Sequence, residues 1–479
     1  MSSRVRTLLP IVWLLALLVL PATAYLVGVR QPLLENREKT AFPDLNRGTL
    51  RHERTFQQID TAIRERLPLR GDAIELRGRI AINLFGDSPT KDVVLGEDGW
   101  LYYRPELRIC EPDGQPKAPA EDAVGLVTRT ITASGRTPAV IVAGSKMVTH
   151  RDHLKGVDAD ALSCVAAAES AVHERLDEIP GGYSIQSELE QLEESGRPTF
   201  LKSDTHWNAL GREVFARTIL DAVRPGLADE ARLRPLDETD RAGDLGVFIG
   251  QDRVDRDPML TVTGSPKTDF RPGEIVFVGD SQFDTAMRTP GADGASIFDR
   301  VFPEQTVCNW TQMYQDGCGP AMLAARTVVI ESVGRNLDLF ADTCWRPVST
   351  LSSTLRGEPA RWVGGASATQ RPLTADATPA RLTVDDDRTD VPRLVRIPVD
   401  ALPVDPAADP ANPPLVTAIP PQERACALAA VADRTPLVIP VPTGERIADL
   451  ELQVAGPPGS ELGRPEVLVL DNEPLPQRD

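Results

Sequence analysis

Histidine is scarce in this 479-residue chain, with five copies, so any imidazole chemistry must draw on very few positions. Basic residues are outnumbered, 52 Lys and Arg against 70 Asp and Glu, and the formal charge of −18 excludes the basic surface that nucleic-acid phosphates require. No Cys-x-x-Cys occurs and the histidines are scattered, which argues against zinc and leaves no metal or organic cofactor site to name. Aromatic residues thin out late: after Trp345 only Trp362 remains, too few for a platform on which sugars stack. Long apolar runs are absent save one. From Thr7 to Val29 no residue is charged, and these 23 positions would make a helix of about 34 Å, enough for a bilayer. Arg4 and Arg6 before it favour an inside amino terminus and an extracytoplasmic remainder. A signal peptide cleaved near Pro21-Ala22-Thr23-Ala24 is the other reading, and either exports the protein. The six cysteines, Cys110, Cys164, Cys308, Cys318, Cys344 and Cys426, then predict disulfides, with Cys308 to Cys318 the first pair by loop length.

What is present divides the chain into four parts. Residues 1–30 hold the anchor, and 31–90 a charged membrane-proximal helical region in which Phe56, Ile59 and Ile63 recur at helical spacing and Ile74 begins a second stretch. Residues 91–346 alternate strand and helix: helix Glu121 to Ala133, strand Ala139 to Ala143, helix Ser163 to Ile179, helix Asn208 to Val223, and strands Ile275 to Val278 and Thr327 to Ile330. That alternation predicts an α/β fold with a mostly parallel sheet covered on both faces. The polar segment Pro225 to Gly273 reads as a lid or, slightly favoured, a surface excursion. Residues 347–479 carry half of the 42 prolines, with an exposed linker from Ala401 to Pro421 and short apolar alternations that predict a small β-sandwich.

Gly279-Asp280-Ser281 closes the buried run Ile275-Val276-Phe277-Val278. A serine at such a strand-to-helix turn sits at the carboxyl edge of the sheet, where α/β folds build their sites. A hydroxyl is a weak nucleophile until a base takes its proton. Lys202-Ser203-Asp204-Thr205-His206-Trp207-Asn208 supplies both a base and a carboxylate to orient it, because Asp204 and His206 can fall on one side of an extended segment. Each piece also has a plain reading, Gly-Asp-Ser as a turn and Asp-x-His as a helix cap.

Asp204-Thr205-His206-Trp207 followed by Gly279-Asp280-Ser281 resembles the alginate O-acetyltransferases of the AlgX/AlgJ type, a branch of the SGNH hydrolase-like fold. Gly96-Glu97-Asp98-Gly99-Trp100-Leu101-Tyr102, Ser145-Lys146 and Glu331-Ser332-Val333-Gly334-Arg335-Asn336-Leu337 fit the same pattern, which covers roughly Val93 to Leu339. The resemblance implies a Ser281-His206-Asp204 triad that passes an acetyl group to a polysaccharide hydroxyl, and a multispanning membrane O-acyltransferase as partner, because acetyl-CoA is cytoplasmic. An extracellular esterase and a non-catalytic glycan-binding assembly protein are the alternatives. The backbone N–H of Ser281 or Gln282 is the local oxyanion donor, with Asn309 a looser candidate. Trp207 floors the site or belongs to the core. Lys146 contacts substrate or snorkels at the surface. Arg335, one helical turn from Glu331, contacts substrate or pairs with that carboxylate. The carboxy-terminal module binds glycan or is an appendage.

Overall fold

The computed structural model describes residues 53–110, 120–309 and 318–336 apart from a few single positions, strands between Trp362 and Val469, and scattered residues before position 44. Two helices come first, α1 (Glu53–Arg66) and α2 (Arg70–Ile80), carrying the spaced Phe56, Ile59, Ile63 and Ile74. A hairpin follows, β1 (Val93–Leu95) and β2 (Leu101–Tyr103). Strand and helix then alternate as α3 (Ala120–Ala133), β3 (Thr137–Ala143), α4 (Ala159–Glu178), β4 (Gly182–Ser184), α5 (Gln186–Glu194) and α6 (Ala209–Val223). The antiparallel pair β5 (Leu233–Ala242) and β6 (Val254–Val262) interrupts them, and β7 (Ile275–Gly279), β8 (Thr306–Asn309) and β9 (Thr327–Val333) finish the core.

Strands β4, β3, β9, β7 and β8 form one sheet in that order, every pair parallel. Side chains alternate across it, so each strand feeds two cores. Val140, Val142, Val276, Val278, Val328 and Ile330 pack with Val124 and Val127 of α3 and Val165 and Val172 of α4. Ala139, Ile141, Ile275, Phe277 and Val329 pack on the opposite face with Phe215 and Ile219 of α6 and with Phe283, Phe298 and Phe302. Parallel strands point their carboxyl ends the same way, and the register sets Gly279 beside Asn309 and Ala143 beside Val333. All the site residues named from the core sequence lie at or above that edge.

The mostly parallel α/β sheet matches the sequence expectation, with β4 and β8 added. Those two lack a run of β-branched residues long enough to stand out, Gly182-Tyr183-Ser184 being half-exposed edge strand. Disulfides join Cys110 to Cys164 and Cys308 to Cys318, the second as expected; Cys344 and Cys426 lie outside the described residues. The uncharged run Thr7 to Val29 lies largely outside them too, and among the described residues no helix is long and apolar enough to cross a membrane. In the carboxy-terminal part, Trp362–Gly364, Glu466–Val469, Arg393–Ile397 and Leu437–Val441 form an antiparallel four-stranded sheet, and Thr378–Leu382, Leu450–Ala455 and Thr417–Ile419 a three-stranded one. The face-to-face packing of a sandwich, and most of the linker from Ala401 to Pro421, fall outside the described residues.

The segment Pro225 to Gly273 is more than a surface excursion. Its hairpin is exposed along much of β5, yet three of its carboxylates reach inward to the loop before α6. Asp255 Oδ2 accepts the Ser203 N–H (2.9 Å) and hydroxyl (2.7 Å), Asp257 Oδ1 accepts the Ala209 N–H (2.8 Å), and Asp244 accepts from Thr205. Asp257 also pairs with Arg212, and both are buried, at 3% and 1% exposure. Removing one member of a buried pair leaves the other charge uncompensated. Asp257→Ala is therefore expected to lower stability by about 3–5 kcal/mol in urea unfolding, while the apolar double replacement Asp257→Leu with Arg212→Met loses markedly less.

Candidate active site

At the end of β7, the Asp280 N–H donates to Glu331 Oε2 (2.9 Å) on the adjoining strand β9, and Asp280 Oδ1 accepts the Gln282 N–H (2.8 Å). The turn is tight enough that a Cβ on Gly279 would lie 2.7 Å from Phe283 Cβ, so glycine is required there. Burial and then the Asp280 charge hold Glu331 well above the usual carboxylate range. Ser281 opens the short helical turn Ser281–Phe283 and is exposed. Neither its N–H nor its hydroxyl has a hydrogen-bond partner among the described residues.

The second half of the site is the loop before α6, whose amino-terminal cap is Asn208, accepting from the Leu210 and Gly211 N–H groups. Asp204 Oδ1 accepts the His206 backbone N–H (2.9 Å) and its Nδ1–H (2.5 Å). That carboxylate fixes the tautomer and leaves Nε2 as the acceptor. His206 Nε2 is buried and has no hydrogen-bond partner among the described residues. Burial alone would push the imidazole down, but the hydrogen bond and charge of Asp204, with Asp244 adding to them, outweigh it and the net direction is up. Burial pushes Asp204 up in turn, and His206 reverses that, holding it below the usual carboxylate range. The two loops meet one residue from each functional group, where Gln282 Nε2 donates to Thr205 O (3.0 Å). Ser281 and His206 each lie one residue along the chain from that bond, and no hydrogen bond joins the two side chains.

Asp244 is the group that the sequence did not announce. Its Oδ1 accepts the Thr205 N–H (2.8 Å), its Oδ2 accepts the Thr205 hydroxyl (2.6 Å), and Oδ2 stands 3.7 Å from His206 Nδ1. It opens the short helix Asp244–Phe248, far along the chain, with no motif to mark it. Asp204, His206 and Asp244 each offer one metal-ligand atom within 4.8 Å of the others. Asp204 Oδ1 and both Asp244 oxygens are already taken by N–H and O–H donors, so the cluster is a hydrogen-bonded relay rather than an open coordination shell.

The other named residues fall in different places. Lys146 is neither a surface lysine nor turned toward the serine. It is 1% exposed, and its ammonium donates to the carbonyls of Leu101 (2.7 Å), Leu201 (2.6 Å), Lys202 (3.1 Å) and Asp204 (2.9 Å), tying β2 to the histidine loop. Burial pushes it down to about 8. Trp207 is fully buried against Phe215, ring centroids 4.7 Å apart, and belongs to the core. Gln282 has both its N–H and its side-chain amide engaged, whereas the Ser281 N–H of the same turn is not. Asn309 ends β8 beside Gly279, at the height of the Gly279-Asp280-Ser281 turn. Arg335 is half-buried with its guanidinium 5.4 Å from the Tyr103 ring centre. The helical pairing of Arg335 with Glu331 does not occur, because β9 continues to Val333 and Glu331 is spent on the Asp280 N–H.

Residues 93–282 match the family model described as the SGNH hydrolase-like domain of the acetyltransferase AlgX. A probable alginate O-acetylase AlgJ of Pseudomonas fluorescens is 23% identical over 209 residues, 43% of this chain and 52% of that protein. One from Pseudomonas aeruginosa is 28% identical over 132 residues, 28% of this chain and 33% of that protein. The chain therefore spans about half, or less, of the length of the curated relatives it matches. Among solved structures, Pseudomonas aeruginosa AlgX has a TM-score of 0.39 at 13% identity, covering 79% of this chain and 94% of that one. The O-acetyltransferase domain of Pseudomonas putida AlgJ has a TM-score of 0.37 at 20% identity, covering 54% and 98%. Nothing further rests on superpositions at that level. Residues 93–282, which hold the Asp204 to Trp207 loop and the Gly279-Asp280-Ser281 turn, are thus the part of the chain that is similar to the AlgX/AlgJ-type SGNH hydrolase-like domain.

Proposed function

We propose that this protein is an extracytoplasmic O-acetyltransferase that moves acetyl groups onto hydroxyls of an exported or cell-surface polysaccharide through an acyl-enzyme on Ser281. The observation that supports the reading is the Gln282 to Thr205 bond of 3.0 Å, which ties the loop carrying a carboxylate-oriented imidazole with an unpartnered Nε2 to the turn carrying a serine at the end of a buried parallel strand. Its relatives' names, alginate O-acetylases, supply the class of acceptor. His206 Nε2 takes the Ser281 proton as Oγ bonds to the acetyl carbonyl carbon. The proton then goes to the departing group of the donor as that bond breaks. In the second half, His206 takes the proton of a sugar hydroxyl, the sugar oxygen bonds to the acyl carbon, and Ser281 recovers its proton. The Ser281 N–H faces the developing oxyanion in both halves. Export follows from the uncharged run Thr7 to Val29, as anchor or signal, and a multispanning membrane O-acyltransferase is the partner that brings acetyl groups across.

Exposure of Ser281 keeps a second reading in view, an esterase in which water takes the acyl group. With an activated acetyl ester as donor, Ser281→Ala is expected to lower turnover on the order of a million-fold. Turnover unchanged in that variant favours a non-catalytic binding protein. Adding oligosaccharide to the wild type should yield sugar-bound acetate in excess of free acetate; free acetate alone identifies the esterase.

The base must be neutral to act, so a raised His206 has a direct consequence. Activity should fall as pH drops through a value above the ordinary imidazole value of about 6.5. Asp204→Asn should move that inflection down and lower kcat on the order of 10⁴-fold. A pH–rate profile of both forms, on the same ester, measures this.

A further inference from the structure

Thr205, between Asp204 and His206, is gripped at every polar atom it has. Its N–H and hydroxyl go to Asp244 (2.8 and 2.6 Å), and its carbonyl accepts the Gln282 side-chain amide (3.0 Å). The carboxylate that grips it also approaches the pair beside it: Asp244 Oδ2 is 3.7 Å from His206 Nδ1, and the Asp244 N–H faces Asp204 Oδ2 at 3.4 Å. A peptide held from both sides cannot rotate, so the distance from His206 to Ser281 is set by a chain of contacts running Asp244, Thr205, Gln282 and then the nucleophile turn. We propose that Asp244 is a positioning residue for acyl transfer: it clamps Thr205 so that His206 is presented to Ser281, and it places a second carboxylate behind the imidazolium that forms when Ser281 loses its proton.

This inference rests on the acyl-transfer reading. A clamp alone would be a structural device. The second carboxylate is not, because it stands on the same side of the ring as Asp204 and favours the charged imidazole. The charged groups that face His206 are Asp204, Asp244 and Arg335; Arg241 of β5 faces Asp204, and Lys146 bonds the Asp204 carbonyl at 2.9 Å. Only Asp204 and Asp244 contribute negative charge among them, so removing Asp244 leaves Arg335 less opposed.

The test uses the full chain with p-nitrophenyl acetate. Asp244→Asn is expected to lower kcat about 10–100-fold with KM within about twofold, the loss that a small misplacement of a catalytic group produces. Its acid-limb inflection should fall by about one pH unit or more. Gln282→Ala should slow turnover too, and the double variant should be little slower than the slower single, because both act through Thr205. A wild-type kcat and inflection in Asp244→Asn overturn the proposal, and so does a loss of kcat with the inflection unmoved. Should Asp244→Asn fail to fold, Thr205→Val decides: it deletes the hydroxyl contact and keeps the charge, so a lower kcat at an unmoved inflection supports the clamp and a wild-type kcat overturns it. Ser281→Ala in the same assay separates the failures. An active Ser281→Ala sinks the acyl-transfer reading itself, whereas an inactive Ser281→Ala beside an unaltered Asp244→Asn sinks only the role given to Asp244.

Discussion

Backbone N–H groups at the carboxyl edge of a parallel sheet need acceptors, and here carboxylates supply them. Glu331 takes the Asp280 N–H, Glu169 the Ser145 N–H at 3.1 and 3.2 Å, and Glu106 the Met147 N–H at 2.9 Å. Asp204, Asp244, Asp255 and Asp257 do the same for His206, Thr205, Ser203 and Ala209. A buried N–H without a partner is strongly unfavourable, so each turn has one permitted geometry once its carboxylate is in place. The negative charge also suits the amino ends of the helices that follow several of these turns.

The same arrangement sorts the acids by their surroundings. Glu106, Glu169 and Glu331 are all but fully buried, and desolvation pushes all three up, Glu169 to about 8. They serve as acceptors and are held away from ionising. Asp204 is nearly as buried and goes the other way, because an imidazole lies on it. Burial thus works against ionisation at the three glutamates, while the imidazole keeps Asp204 on the charged side. Lys146 collects four carbonyls from β2 and the histidine loop.

Much of this was legible in the sequence wherever the signal is local. The runs Ala139 to Ala143, Ile275 to Val278 and Thr327 to Ile330 fall inside β3, β7 and β9, and Asn208 caps the helix that begins after it. The Asp204 and His206 contact spans two residues and could be written down at once. What could not be read depends on distant pairing. Asp244 meets Thr205 across 39 positions, and Glu169 meets Ser145 across 24, with nothing in either stretch to name its partner. Pro225 to Gly273 looked like an excursion because its outer residues are polar, and its inward aspartates look the same on paper. Glu331 was placed on a helical turn with Arg335, when two further strand residues, Ser332 and Val333, keep it in the sheet. Residue type left Trp207 open between site and core, and tertiary burial decides for the core; for Lys146 burial excludes the surface.

The most direct test of the account is to trap the covalent intermediate. Full-length protein incubated with an activated acetyl ester and quenched in acid should yield one acetylated peptide, the one carrying Ser281, and none in Ser281→Ala. Acetyl found on another residue, or on no residue while the ester is still turned over, would contradict the claim that Ser281 is the nucleophile that His206 activates.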